Sequence, residues 1–245
     1  MRRFTIYILV GCLIAISSCK KPHNSSGSLS MQVNPMFGPN VLKIDSIYES
    51  PDGKYYYFNV FNMYFSHIKL IQQGGGTVEV NPVTFFSLND STDVHPVISL
   101  GNPSGSFIGV QFSIGLDAIQ DTNSPNTNPS SPYYANNNMY WGTVLQNVFV
   151  ELQGYADTNK IPVQGLGYHI GTQTYYTTVT LNKSFTLSGT SATTLNVSVD
   201  LQRLFYGGTN PINVLNPSED LTSTSPVPAL CQQFITNLDS AFSIQ

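Results

Sequence analysis

The feature that most constrains the fold is a two-residue alternation of apolar and polar side chains. From Phe107 to Asp117 the even positions are Ile108, Val110, Phe112, Ile114 and Leu116, separated by Gly109, Gln111, Ser113 and Gly115. Thr194 to Leu201 repeats the pattern, with Leu195, Val197, Val199 and Leu201 set against Thr194, Asn196, Ser198 and Asp200. Side chains on an extended chain point to alternate faces, so this spacing predicts strands with one face in a core and one in water. Tyr55 to Ile71 is longer, rich in aromatic and β-branched residues, and follows the turn Pro51-Asp52-Gly53. It is expected to hold two strands or one bent strand. Val78 to Val80, Thr84 to Leu88, Val144 to Leu152, Tyr175 to Leu181 and Phe185 to Leu187 supply further strands. Many short strands punctuated by Gly, Pro and Asn predict an all-β fold, an antiparallel two-sheet β-sandwich.

Two segments depart from the pattern. Gln120 to Asn138 is an Asn/Ser/Pro-rich loop with little apolar content, and loops of that length are usually functional or mobile. From Pro228 onward Leu230, Phe234, Leu238 and Phe242 recur every four residues, with Pro226 and Pro228 at the start. This predicts a C-terminal helix that covers one end or edge of the sandwich.

The first residues read as a targeting signal rather than as part of the fold. Arg2 and Arg3 precede an apolar run from Ile8 to Ile16, which ends at Ser17-Ser18-Cys19. Small residues before a Cys at the end of such a run resemble the lipobox of bacterial lipoproteins. Residues 1–19 are then a signal peptide, Cys19 is the lipidated residue, and the chain sits on the membrane through its acyl chains. An ordinary secretory peptide is the alternative. Residues 20–30 form a polar, Ser-rich tether that includes His23, leaving 31–245 as one domain. An outer-membrane lipoprotein is expected, facing either the periplasm or the exterior; Lys20 and Lys21 do not decide between them.

Composition excludes several classes. Only 10% of residues are charged and the formal net charge is −4 with no basic stripe, so nucleic acid is not a partner of choice. With Cys12 in the leader and Cys19 lipidated, Cys231 stands alone, so core packing must supply the stability. No Gly-x-Ser-x-Gly elbow, His-Glu-x-x-His or phosphate loop occurs, so nothing marks an enzyme.

The chemistry-bearing stretch is Asn138-Met139-Tyr140-Trp141, which holds the only Trp and runs into the strand ending at Gly154. It is answered by Gly167-Tyr168-His169-Ile170-Gly171. An indole and an imidazole in neighbouring β segments suggest a soft-metal or redox site. His169 is the leading ligand candidate because imidazole suits copper, against the plainer reading of a strand-end His bonded to a carbonyl. His67 is a second candidate; it alternates with Ile68 and so is expected on the face away from the apolar residues. Trp141 is either a redox-active or ligand-supplying residue or a core plug whose N–H finds a partner. Met63 and Met139 are expected to fill gaps. Asp117 is expected to cap a turn or fix the long loop. His95, before Pro96, is expected to be exposed.

Together with Phe37-Gly38, Leu42, Tyr48, the run Tyr64 to Leu70, Ile114 to Asp117, Val148 to Gly154 and the closing Asn237 to Phe242, these segments resemble the MbnP family. These are copper-binding proteins of methanobactin gene cassettes, with a related lipoprotein domain in Bacteroidetes. The likeness runs from about Met31 to Gln245. It implies a β-sandwich, copper as ligand, and a Trp oxidised to kynurenine by a dihaem cytochrome of the peroxidase type. Carried onto this chain it gives Trp141 as the retained aromatic, with His side chains as its co-ligands; His169 is the first candidate for that role and His67, where the family usually carries Asn, the second. The family's Met-x-Trp is followed by a second Trp, and here Thr143 stands in that place. If the oxidised Trp is the one at Thr143, no kynurenine forms. The expected activity is therefore non-catalytic copper binding. Two alternatives stand beside it. One is a glycan-binding or adhesive sandwich that uses Tyr133-Tyr134 and Tyr175-Tyr176. The other is a member that has kept the scaffold and lost the metal.

Overall fold

A computed structural model describes residues 27–88, 96–188, 191–223 and 228–245. Cys19, His23, His95 and Pro226 lie outside these residues. Strands in the first half are β1 (Leu29–Phe37), β2 (Asn40–Val41), β3 (Ile47–Glu49), β4 (Tyr55–Gln72), β5 (Thr77–Leu88), β6 (Val97–Ser99) and β7 (Gly105–Ile114). The short helix α1 (Gly142–Leu145) precedes β8 (Val148–Asp157), β9 (Gln164–Gly171), β10 (Thr177–Leu187) and β11 (Thr193–Asp200). The chain ends with α2 (Gln202–Phe205), β12 (Leu221–Ser223), α3 (Pro228–Ala241) and β13 (Phe242–Ile244).

These strands form two sheets, as the alternation predicted. The smaller runs β13-β11-β1-β2 with β6 on β1; the larger runs β10-β7-β4-β8-β9-β12 with β3 and β5 on β4. Most ladders are antiparallel, but β1 pairs with β11 in parallel, Val33 opposite Val197, and β12 pairs with β9 in parallel. Alternation tells which face a residue takes and is silent on which strand lies beside it, so these two parallel pairs were not visible beforehand. Leu195, Val197, Val199 and Leu201 are buried as expected. In β7 the alternation breaks at one point. Gly109 lies opposite Ile71 while Phe107 lies opposite Gln72, so a bulge turns Ile108 outward (40% exposed) and Phe107 into the core.

Tyr55 to Gln72 is the single bent strand of the two options, 18 residues long. Its register slips between Phe58 and Val60 against β8 and between Ser66 and Lys69 against β7. Bulges such as these bend a strand too long to stay straight. At Phe61 to Met63 it pairs with β5 and β8 together, and at Phe65 to Ser66 with β5 and β7 together. β5 therefore holds one edge of β4, and β7 and β8 follow one another along the other. Ile114 leaves opposite Phe65 and Val150 returns opposite Met63. Residues 115–147 are thus an excursion that departs from and rejoins the sheet at almost the same place.

The excursion explains why both faces of β4 are buried from Phe61 to Ser66. Phe61, Met63 and Phe65 face the other sheet, where Phe65 and Phe112 meet Phe242 edge-on at 6.1 and 5.1 Å. Asn62, Tyr64 and Ser66 face outward, yet are 4%, 1% and 0% exposed. Part of their cover is Tyr133 of the excursion, whose ring lies 6.1 Å from that of Tyr64.

The C-terminal helix forms from Pro228, whose missing N–H costs nothing at a first helical position. Its buried stripe is Leu230, Phe234 and Leu238, with Phe234 5.1 Å from Tyr168 across the core. Phe242 belongs to β13 rather than to the helix. Cys231 is buried on the inner side of this helix. Among the described residues no helix is long and apolar enough to cross a membrane.

Candidate metal centre

The excursion is closed at its neck by buried polar groups. Asp117 caps its first turn, its Oδ1 accepting from the N–H of Ile119 (2.8 Å) and Gln120 (2.7 Å), which is the turn role expected of it. Asp121 and Asn147 are each 2% exposed. The Asn147 backbone N–H donates to Asp121 Oδ1 at 3.0 Å and its amide donates to the Asp121 carbonyl at 2.9 Å. Burial pushes the Asp121 carboxyl above its ordinary range, against the bonds from Asn147 and Gln173. Gly115 is required at the exit. Its φ is +98°, and a Cβ there would stand 2.3 Å from the Phe149 ring.

The returning limb is a tight turn. The Val148 N–H donates to Met139 at 2.6 Å, Trp141 to Gln146 at 2.8 Å, and Gln146 to Gly142 at 2.8 Å. Gly142 and Gln146 take positive φ of 89° and 54° to close it, so the expected start of the strand at Val144 becomes the helical turn α1. This turn lays the Trp141 indole on the His169 imidazole, with ring centroids 4.8 Å apart and planes at 43°. Trp141 is 38% exposed, so it is a surface lid and not a core plug.

His169 sits on β9 directly opposite Glu151 on β8, which in turn lies opposite Asn62 on β4. All three point to the outer face, because their neighbours Tyr168, Leu152 and Phe61 fill the core. His169 Nε2 is 2.9 Å from the Gln153 amide nitrogen and 3.5 Å from Glu151 Oε1. The Gln153 amide also donates to Glu151 Oε1 at 2.6 Å, and Asn62 Nδ2 donates to Glu151 Oε2 at 2.9 Å. The other end of that amide, Asn62 Oδ1, is buried without a partner. The plain alternative for His169, a bond to a backbone carbonyl, is not what the structure shows. Glu151, Gln153 and Asn62 went unrecognised in the sequence. The spacing of 151 and 153 puts them on one face, but nothing local indicates that Asn62 and His169 flank them.

His67 is not brought to this patch. It lies five positions beyond Asn62 and two strands from β9, roughly 15–20 Å from His169 at ordinary strand spacings. It takes φ +48° at the bulge, with Nδ1 2.9 Å from Glu79 and Nε2 2.7 Å from Asp117. Burial alone would lower its pKa; the two carboxylates outweigh that and hold it above the ordinary value. It serves as a clamp between β4, β5 and the start of the excursion. Among the described residues no group of three or more His, Cys, Asp or Glu could hold a metal. Any ion at His169 must therefore draw on amide or aromatic groups as well. Tyr175 is buried (5% exposed), and Tyr133, Tyr134 and Tyr176 are partly buried, so the tyrosines expected to face a glycan do not form an open platform.

Fold and patch together define a two-sheet β-sandwich in which one sheet carries a long excursion that seats an indole on an imidazole. The chain belongs to the MbnP family, whose model matches residues 26–225. Among solved structures it is similar to MbnP from Methylosinus trichosporium, with a TM-score of 0.60 at 10% identity. The match covers 89% of this chain and 98% of that one. No curated protein sequence matches the chain.

Proposed function

We propose that this chain is an envelope protein that binds copper without catalysing a reaction on it. The observation that carries the reading is the convergence of His169 and Trp141, 4.8 Å apart, on the outer face of a family sandwich. The groups present suit the ion: imidazole is a good copper ligand, and Glu151 stands beside it. His169 is the residue that holds the metal, and copper bound there supplies a redox-active centre beside an indole.

Trp141 is accessible enough for a partner of the dihaem cytochrome peroxidase kind to reach, and its modified side chain would lie beside His169. Anchoring through a lipid on Cys19 at the outer membrane, on its periplasmic or outer side, belongs to the same proposal. Copper titration followed by native mass spectrometry tests it. One copper per chain is expected, lost in His169→Ala, and undiminished affinity in that variant refutes it. A mass gain on Trp141 would report kynurenine.

One observation favours a second reading, a surface-binding sandwich. Tyr57 and Tyr155 lie 6.0 Å apart in an apolar groove with the exposed Ile47, Ile161 and Val163. Binding on a glycan array that is lost in Tyr155→Ala would support it.

A further inference from the structure

We propose that the cavity between β5 and the far limb of the excursion is a binding site for an uncharged sugar, a neutral hexopyranose unit. This site is independent of the copper reading and shares no residue with the groove of Tyr57 and Tyr155.

The Asn/Ser/Pro-rich stretch that breaks the β pattern builds one wall. The cavity holds about 330 Å³, at the small end of ligand pockets, between the strand residues Asn81 to Phe85 and the turn Pro129-Ser130-Ser131-Pro132. The turn is held from within. Asn126 Nδ2 donates to Ser131 Oγ at 2.8 Å, and Asn126 Oδ1 accepts from the Asn128 N–H at 3.1 Å. Asn128 Oδ1 accepts from the Ser130 N–H at 3.0 Å, and Asn137 Nδ2 donates to the Pro132 carbonyl at 2.9 Å. The opposite wall is fixed by the pairing of β5 with β4, and the Phe85 ring stands 5.4 Å from that of Tyr64. Both walls exist before a ligand arrives, so binding has little ordering to offset. A loop that only shielded β4 would close onto β5 at the density of a protein interior and leave no such space.

The lining sets the class of ligand. None of the described residues around the cavity is charged, so an ionised ligand would lose its water without gaining a counter-charge. The polar groups are amides and hydroxyls, from Asn81, Thr84, Ser130 and Asn137. Sugar hydroxyls donate and accept at once, which matches a mixed set of this kind. Phe85 and the two prolines supply the apolar surface. The electron-rich face of an aromatic ring attracts the C–H groups on one side of a pyranose.

Asn81 is the residue that most needs a partner. Its Oδ1 is buried with no donor, and its Nδ2 reaches only the Ser99 carbonyl, at 3.5 Å. A bond of that length is weak, so the amide can turn its oxygen toward the cavity. A buried acceptor without a donor is unfavourable, and a ligand hydroxyl supplies the missing O–H.

Saturation-transfer difference NMR on the full chain tests this, with D-glucose, D-galactose and D-mannose as probes and sodium D-glucuronate as the charged counterpart. At least one neutral sugar is expected to show transfer concentrated on the C–H groups of one ring face. Glucuronate is expected to bind about tenfold more weakly or not at all, because no cation lines the cavity. Asn81→Leu keeps the bulk and removes the amide, and is expected to weaken the sugar by about fivefold or more. Ser130→Trp fills the cavity from an exposed turn position that leaves the core untouched, and is expected to abolish binding. Signals from none of these sugars, glucuronate as tight as the neutral sugars, or parent-like binding in either variant overturns the inference. His169→Ala and Tyr155→Ala should leave the sugar signals unchanged; loss in Tyr155→Ala with retention in Ser130→Trp would place the sugar in the other groove and refute this site.

Discussion

Asn147→Ala tests whether the neck of the excursion is what holds Trp141 in place. The Asn147 amide donates to the Asp121 carbonyl at 2.9 Å, to Asp121 Oδ1 at 3.3 Å and to Asn123 at 3.4 Å. Both partners of the neck are 2% exposed, so water does not replace what is removed. The Asp121 carboxylate keeps the Asn147 backbone N–H at 3.0 Å and Gln173 at 3.4 Å, so it is weakened but not abandoned. Leaving a buried acceptor short of a donor costs about 1–3 kcal/mol, and a bond to a charged group lies toward the upper end of that span. We expect a loss of about 2–3 kcal/mol. For a domain of this size that is roughly a 5–10 °C fall in Tm. Because Trp141 is joined to Gln146, next to Asn147, by a 2.8 Å backbone bond, the lid should loosen with the neck. Its emission should shift to the red well below the melting transition, and since it is the only Trp, no other residue obscures the signal. A Tm within 2 °C of the parent, or unchanged emission after a clear loss of stability, would refute the link between neck and lid.

Two further outcomes are expected. The His67 clamp has a folded pKa above the unfolded value, so its stabilisation is complete below about pH 6.5 and is lost as pH rises through the folded pKa. The stability difference between the parent and His67→Asn, whose side chain tolerates the positive φ, should shrink from about 1 kcal/mol near pH 6 toward zero near pH 9 in denaturant melts; a constant difference would count against the clamp. Gly115→Ala places a Cβ 2.3 Å from the buried Phe149 ring at φ +98°. Adding overpacking to a left-handed backbone should cost roughly 3 kcal/mol, read as a fall in Tm of several degrees.

Much of the scaffold was legible from residue spacing, and the failures have physical reasons. In Thr194 to Leu201 the apolar positions are all buried as the alternation requires, while Ser198, expected on the wet face, is covered as well. In Phe107 to Asp117 it failed at Ile108, because one extra residue in a ladder reverses every face beyond it and leaves no mark in the sequence. The turn after Met139 reads as strand from the sequence because Val144 and Leu145 suit either state, whereas its closure depends on positive φ at Gly142 and Gln146. His67 was placed correctly on β4, but its bulge commits it to Glu79 and Asp117 rather than to His169.

By itself the sequence determined the all-β class, several of the strands with most of their buried positions, where the terminal helix begins, and that one Trp and one His stand in neighbouring β segments. A period of two follows from the geometry of a single extended chain, so no partner is needed to read it. Only the tertiary structure decided that Trp141 closes over His169, that Asn62 steadies Glu151 from a strand 89 positions away, and that His67 works elsewhere. Those meetings depend on strand order, on register and on where a 33-residue excursion (115–147) leaves and rejoins β4. They are settled by burial summed over the whole sandwich, and no short stretch of chain carries that sum.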